Sequence, residues 1–329
     1  MVADILDCQE PPPQGLTLDE DFADPGLKPC VSLIIPTKNG HDLLATCIGS
    51  ITRHTRWADL EIIVIDHESD CPRTRDFLRK GAAEGTFSVV PYVGPFNFAA
   101  MCNIAAERAR GAILGFVNND VEVLRPDWIE RAVAHCRRRA IGAVGAKLLY
   151  PNGTVQHFGV VAGQGGIADH AFVHEGADAA GYCGILNATT EFAAVTAATL
   201  FCRASLFAAS GGFDATGLAV SFNDVDFCLR LRDAGYANIC DPDIVLYHHE
   251  SASRGRPTHG PDRAQQRREE LLVSSRWHNV MLSDPCYSPN LNLFGAPYTG
   301  LSLPPRHRWG EGLARSRRLR QRPDGSAAW

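Results

Sequence analysis

The sequence predicts an α/β protein: one mixed α/β domain whose first half holds parallel strands, with a C-terminal extension. Three observations carry this reading. Between Val31 and Val117, short continuous apolar runs alternate with amphipathic helical stripes. Polar residues gather just past three of those runs, at Thr37 to Asn39, at Asp66 and at Asn118 to Asp120. The chain has 329 residues, 45% hydrophobic and 21% charged, which suits one large core with an appendage.

The elements follow in order. Val31 to Ile35, closed by Pro36, reads as a strand buried on both faces. Leu43, Leu44, Cys47, Ile48 and Ile51 form one helical stripe, and Ile62 to Ile65, ending at Asp66, is a second buried strand. Strand, helix, strand at this spacing is a βαβ unit with parallel strands and a right-handed crossover. The pattern continues with a helix from Thr74 to Ala83, a strand from Phe87 to Tyr92, a helix from Ala99 to Arg110 and a strand from Ala112 to Val117. In the second half, Ala143 to Leu149, Val155 to Val161 and Ala194 to Phe201 read as strands between Gly-rich loops. A helix from Asp224 to Asp233, a strand from Ile244 to Tyr247 and a charged helix from Asp262 to Arg276 complete the pattern. Residues 1–30, rich in proline and acids, are expected to be a leader or linker. Residues 31–255 form the domain, and 256–329 a helical extension with a basic tail.

A net charge of −5 argues against a nucleic-acid binder. The stretch from Arg306 to Arg322 nevertheless holds seven arginines against the single acid Glu311. It reads either as a solvated terminus or as a contact with anionic membrane. Eleven cysteines contain no C-x-x-C pair, so neither a zinc ribbon nor a disulfide ladder fits, and reduced core cysteines of a cytoplasmic protein do. Met1 to Glu10 has no secretion signal, and Phe192 to Ser210, interrupted by Arg203, is a poor bilayer span. The expected location is the cytoplasm, at most at the inner face of the membrane.

Three strings carry chemistry. Asn118-Asn119-Asp120 follows an apolar strand, where a carboxylate can hold Mg²⁺ or Mn²⁺ beside substrate phosphates; Asn and Asp are equally turn residues. Phe222-Asn223-Asp224-Val225-Asp226 opens a helix. One of its acids suits a cap worth about 1 kcal/mol, which leaves the other as a general base, with Asp226 as the cap if Asp224 is the base. Leu246-Tyr247-His248-His249 ends a strand, and adjacent histidines point to opposite faces, so at most one meets a given metal.

From Val31 to about Gly255 the sequence resembles the family 2 glycosyltransferases, nucleotide-sugar enzymes with a type A glycosyltransferase fold and a Rossmann-like mixed sheet. Among them it is most similar to bacterial members acting on rhamnose-containing or O-antigen-like polysaccharides. The strings that carry the resemblance are VSLIIPTKN, PFNFAAMCN, FVNND, VGAKLLYPNGTVQHFGVV, VTAATLFCR, GGFD, FNDVDFCLRLRDAGY and LYHHESASRG. The resemblance implies that Thr37 and Asp66, with Pro36 and Asn39 beside them, hold the donor's base and ribose. It places Asn97 and Asn103 along the donor pocket and Asn119 against ribose or sugar. Asp120 matches the metal-binding second acid of the family's Asp-x-Asp motif, whose first acid is Asn118 here. Asp224 matches the acid of the Glu-Asp motif, the base, with Asn223 in place of Glu. His248 matches a histidine that completes the metal site, with His249 as the fallback.

The implied reaction moves a sugar from a nucleoside-diphosphate sugar to a hydroxyl of a glycan or lipid-linked acceptor, with inversion, in cell-surface polysaccharide synthesis. A divalent cation would offset charge on the leaving diphosphate, and one base would take the acceptor proton. Three rivals remain. Gly163-Gln164-Gly165-Gly166-Ile167-Ala168 matches the dinucleotide string G-x-G-x-x-A, but no helical stripe follows it and no acid stands about 20 residues on. A sugar nucleotidyltransferase would carry a Gly-rich basic loop where Pro36-Thr37-Lys38-Asn39 stands. A degenerate module that only binds glycans or nucleotide-sugars is left open by Asn118 and Asn223.

Overall fold

Strand β1 (Val31–Thr37) pairs in parallel with β2 (Leu60–His67) and with β4 (Ile113–Val117), and β2 pairs in parallel with β3 (Ser88–Tyr92). Both faces of β1 are buried because alternate side chains enter different cores. Leu33 and Ile35 join one apolar cluster and Ile34 the other. The first cluster lies under α1 (His41–His54), α2 (Pro72–Ala83) and α4 (Trp128–Cys136). The second lies under α3 (Phe98–Ala106), α5 (Ala204–Ala209) and α6 (Asn223–Asp233). In this computed structural model, residues 28–249 and 260–306 are described. The expected leader up to residue 27, the end of the LYHHESASRG string and the basic tail beyond Arg306 lie outside the described residues.

Beyond β4 the sheet turns mixed. β11 (Thr199–Arg203) runs antiparallel to β4 and to β6 (Ile141–Leu149). β12 (Ala237–His248) runs parallel to β6, and β10 (Thr190–Phe192) closes that edge antiparallel to β12. The path through the ten-stranded sheet is β10-β12-β6-β11-β4-β1-β2-β3. Short β5 (Val121–Val123) pairs with the end of β12, and β7 (Val155–His157) pairs with β6. The result is the mixed α/β sheet expected, with its strand ends at Thr37, Asp66 and Asn118 on one edge.

Differences from the sequence reading have local causes. The expected strand from Val155 to Val161 is split into β7 and β8 (Val160–Ala162), because Gly159 adopts φ 85° and an added Cβ would lie 2.2 Å from the Phe192 ring. The Ala194 to Phe201 run is strand only from Thr199. Helix α4 was not expected, although Trp128, Ile129, Ala132, Val133 and Cys136 carry its buried stripe.

The C-terminal segment packs onto the domain. After α7 (Gly260–Arg276) comes α8 (His278–Leu282), whose Met281 carbonyl lies where a Cβ on Gly163 would fall, 1.9 Å away. The glycine of the dinucleotide-like string therefore serves close backbone packing, and the string leads into β9 (Ala168–His170), not a helix. Four rings, Phe172, Tyr182, Tyr287 and Tyr298, lock the same region, with Tyr298 stacked at 4.7 Å on Phe172 and 5.4 Å on Tyr182. Such pairs contribute roughly 0.5–1.5 kcal/mol each beyond area burial. All ten described cysteines are free, in line with the spacing argument. Among the described residues no helix is long and apolar enough to cross a membrane.

Candidate active site

The ends of β1, β2 and β4 meet at one edge. Asn119 donates from Nδ2 to Thr37 Oγ1 at 2.9 Å, and Thr37 stands opposite Asp66 in the sheet register, as Pro36 stands opposite Ile65. The Thr37 hydroxyl donates to the Asn39 carbonyl at 3.3 Å. Asn39 sits at φ 56°, where Asn is tolerated, and its side chain ties two loops together. Its Nδ2 donates to Asp70 Oδ1 at 2.9 Å, and its Oδ1 accepts from the Asp70 and Cys71 amides at 3.1 and 2.9 Å. Asp66 accepts the Ser69 amide at 3.1 Å on one oxygen. Thr37 and Asn39 thus shape this edge through internal hydrogen bonds.

Asp120 and His248 face each other, brought together by the pairing of β5 with β12. His248 Nε2 lies 3.1 Å from Asp120 Oδ1, yet that buried oxygen has no hydrogen-bond partner among the described residues. The other ring nitrogen, Nδ1, lies 2.6 Å from Gln156 Oε1, while Asn118 Nδ2 lies 3.3 Å from Nε2. An amide oxygen only accepts and an amide nitrogen only donates, so in the neutral ring these two contacts together put the hydrogen on Nδ1 and the lone pair on Nε2. A carboxylate oxygen and a lone-pair nitrogen then confront each other in a buried place. Such an arrangement fits a divalent cation with oxygen and imidazole ligands. Among the described residues no group of three or more His, Cys, Asp or Glu side chains is placed to hold a metal. His249 points the other way, with Nε2 3.2 Å from Glu122 Oε2, as alternation along an extended segment requires.

Asp224 lies in the first turn of α6. Its Oδ2 accepts the Ala197 amide at 2.9 Å, and the next residue, Ala198, accepts the Asn118 amide at 3.0 Å. Asp224 is thereby attached to the strand end that carries Asp120. Phe222 precedes it at φ 61°, a conformation that costs a non-glycine residue roughly 1–3 kcal/mol and persists where surroundings enforce it. The enforcement is visible. Glu269 of α7, 2% exposed, accepts the Val220 and Ser221 amides at 3.2 and 2.7 Å, and Asn223 donates to the Val220 carbonyl at 3.1 Å.

Asp226 is not the helix cap expected of it. It is fully buried and accepts from Arg230 Nε at 2.9 Å, Arg276 at 2.7 Å and Trp277 Nε1 at 2.8 Å, because α6 turns it inward against α7. Below it, Phe116, Phe207, Phe213 and Phe227 pack with centroids 4.8 to 5.4 Å apart and hold α6 against β4.

The side-chain amides of Asn97 and Asn103 make hydrogen bonds within the fold. Asn97 caps α3, accepting the Ala100 amide at 2.8 Å and donating to the Ala215 carbonyl at 2.8 Å. Asn103 donates to the Phe213 carbonyl at 2.8 Å and accepts the Phe213 amide at 2.9 Å. Both amides are engaged in fastening α3 to the GGFD loop. Sequence reasoning passed over Gln156, Glu269 and buried His157. The His157 ring is kept neutral by burial and by nearby His170 and His248, its pKa pushed well below the usual histidine range. Gln156 and His157 lie inside the VGAKLLYPNGTVQHFGVV string, so the only available signal was their place in it.

The mixed sheet, with its polar edge at a switch in strand order, matches the fold of solved type A glycosyltransferases. Residues 32–160 match the family model described as Glycosyl transferase family 2. The chain is 42% identical over 80% of its length to "Uncharacterized protein y4gI" of Sinorhizobium fredii and 36% identical over 82% to "O-antigen biosynthesis protein RfbC" of Myxococcus xanthus. It spans 29% and 20% of those proteins' lengths. Its fold is similar to the crystal structure of GalNAc-T7 with UDP, GalNAc and Mn²⁺, with a TM-score of 0.63 at 14% identity, covering 79% of this chain and 51% of that one.

Proposed function

We propose that this chain is an inverting, metal-dependent glycosyltransferase. It moves a sugar from a nucleoside-diphosphate sugar to a hydroxyl of a glycan or lipid-linked acceptor, on the cytoplasmic side, in bacterial cell-surface polysaccharide synthesis. The observation that carries the reading is the buried Asp120 oxygen without a hydrogen-bond partner among the described residues, facing His248 Nε2 on the edge that also bears Asp224. The name of the Myxococcus xanthus relative and the UDP and Mn²⁺ of the structural neighbour support it. Asp120 and His248 would hold the ion, which when bound offsets negative charge on the leaving diphosphate. Asp224 takes the proton of the incoming hydroxyl as that oxygen attacks the anomeric carbon from the face opposite the leaving group. Thr37, Asp66 and Asn119 shape the nucleotide side of the edge, with Pro36 and Asn39 behind them.

The test is release of nucleoside diphosphate from UDP-, dTDP- and GDP-sugars with Mn²⁺. One donor is expected to be turned over, and EDTA to stop it. A second reading, a module that binds the donor without turnover, is favoured by Asn118 and Asn223 standing where the family has acids. It predicts a donor-dependent rise in melting temperature with no diphosphate released.

Contact with anionic membrane belongs to the same proposal. Phe294, Leu301 and Leu303 are 81%, 67% and 84% exposed immediately before the arginine run. Arg306 itself is engaged, donating to the Leu282, Leu291 and Ser288 carbonyls, so the attraction falls to the six arginines after it, at about 1 kcal/mol each near the surface. Sedimentation with phosphatidylglycerol vesicles is expected at low salt and not with phosphatidylcholine. Equal sedimentation after removal of residues 308–329 would count against it.

A further inference from the structure

We infer that Gln156 is a positioning residue: its side-chain oxygen fixes His248 as the Nδ1–H tautomer and so aims the Nε2 lone pair at Asp120. The inference rests on the proposal that Asp120 and His248 hold a metal. Gln156 is 2% exposed, and Oε1 lies 2.6 Å from His248 Nδ1. Asn118 Nδ2, 3.3 Å from Nε2, assigns the same tautomer from the other side of the ring. A neutral imidazole carries one N–H, so Gln156 as acceptor and Asn118 as donor form a matched pair. Turning only one of the two amides would offer the ring two donors or two acceptors.

Position on the sheet keeps Gln156 in place. β7 is anchored to β6, His157 lying opposite Leu148 and Val155 opposite Leu149, and the Gln156 carbonyl stands 3.2 Å from His170 Nδ1. Metal-binding histidines generally donate their second N–H to an oxygen, and removing that oxygen typically weakens metal affinity about 10–100-fold. A glutamine that merely filled the core would give the same burial. It would not need its oxygen toward the ring, and its replacement would change stability without changing the tautomer.

The experiment uses the full chain with Q156M and Q156E. Long-range ¹H–¹⁵N spectra of the metal-free protein read which nitrogen of His248 carries the proton, and calorimetric titration with Mn²⁺ reads affinity. In wild type the proton is expected on Nδ1. Q156M is expected to lose that preference and to bind Mn²⁺ roughly 10–100-fold more weakly. Q156E retains an acceptor oxygen, and is expected to keep the tautomer and affinity within about threefold. If Q156M does not fold, Q156N, whose amide falls one methylene short, takes its place and is expected to behave as Q156M. Retention of the wild-type tautomer in Q156M or Q156N would overturn the inference, as would its loss in Q156E. Should wild type bind no Mn²⁺ while the tautomer still follows residue 156, the positioning stands and the metal proposal fails.

Discussion

Asp120→Ala is expected to remove Mn²⁺ binding and sugar transfer together while leaving the fold standing. Asp120 is 6% exposed, and its Oδ1 has no hydrogen-bond partner among the described residues. Truncating it therefore leaves no partner of that oxygen unsatisfied, and it removes a buried charge that faces a lone pair. The contact that joins this strand end to β12, from the His249 amide to the Asp120 carbonyl at 2.9 Å, belongs to the backbone and survives. Melting temperature should hold within a few degrees or rise. Charge stabilisation of several kcal/mol is at stake in transfer, and at 1.36 kcal/mol per tenfold a loss of at least ~10³ in rate is expected. Calorimetric titration with Mn²⁺ and a coupled diphosphate assay check it. Full transfer by the alanine variant at ordinary Mn²⁺ would sink the metal role of Asp120.

The parallel half of the sheet was readable because each strand there is buried on both faces and each intervening helix shows one stripe. Val31 to Ile35 and Leu43 to Ile51 state their periods openly. β11 was read too long because Ala194 to Ala198 is as apolar as a strand. That segment instead carries the amide that binds Asp224 and the carbonyl that binds Asn118. Asp120, Asp224 and His248 could be put forward from the sequence because each ends a strand or opens a helix in a string of specific composition. Gln156 and Glu269 were not. Their roles depend on β7 reaching β12 and on α7 folding back over residues 220–221, and both contacts join residues far apart in sequence. Asp226 was misread for the same reason. A helix-start acid looks like a cap until the partners waiting for it, Arg276 and Trp277, are known to be 50 and 51 residues away.

Asp224→Asn separates a base from a fastening. The carboxylate has two structural hydrogen bonds, from the Ala197 amide to Oδ2 at 2.9 Å and from the Val225 amide to Oδ1 at 2.8 Å. Asparagine has one acceptor oxygen. It can keep the Ala197 bond, but its NH₂ then meets the Val225 N–H, a donor facing a donor. A hydrogen bond to a charged group contributes about 1.5–3 kcal/mol, which in a domain of this size amounts to several degrees in melting temperature. Donor binding, measured by thermal shift, should persist because Asp120 and the strand ends are untouched. Proton removal is another matter, since an amide cannot accept the proton of the incoming hydroxyl, and loss of a positioned base typically slows a reaction ~10²- to 10⁴-fold. The expected variant is therefore less stable, binds donor normally and is nearly inactive, with the fall in kcat and not in KM. If Asp224 only fastens α6 to residue 197, the amide retains the essential bond and transfer stays within about threefold of wild type. That result would reject Asp224 as the base and leave the attack on the anomeric carbon to be served by another group on the same edge.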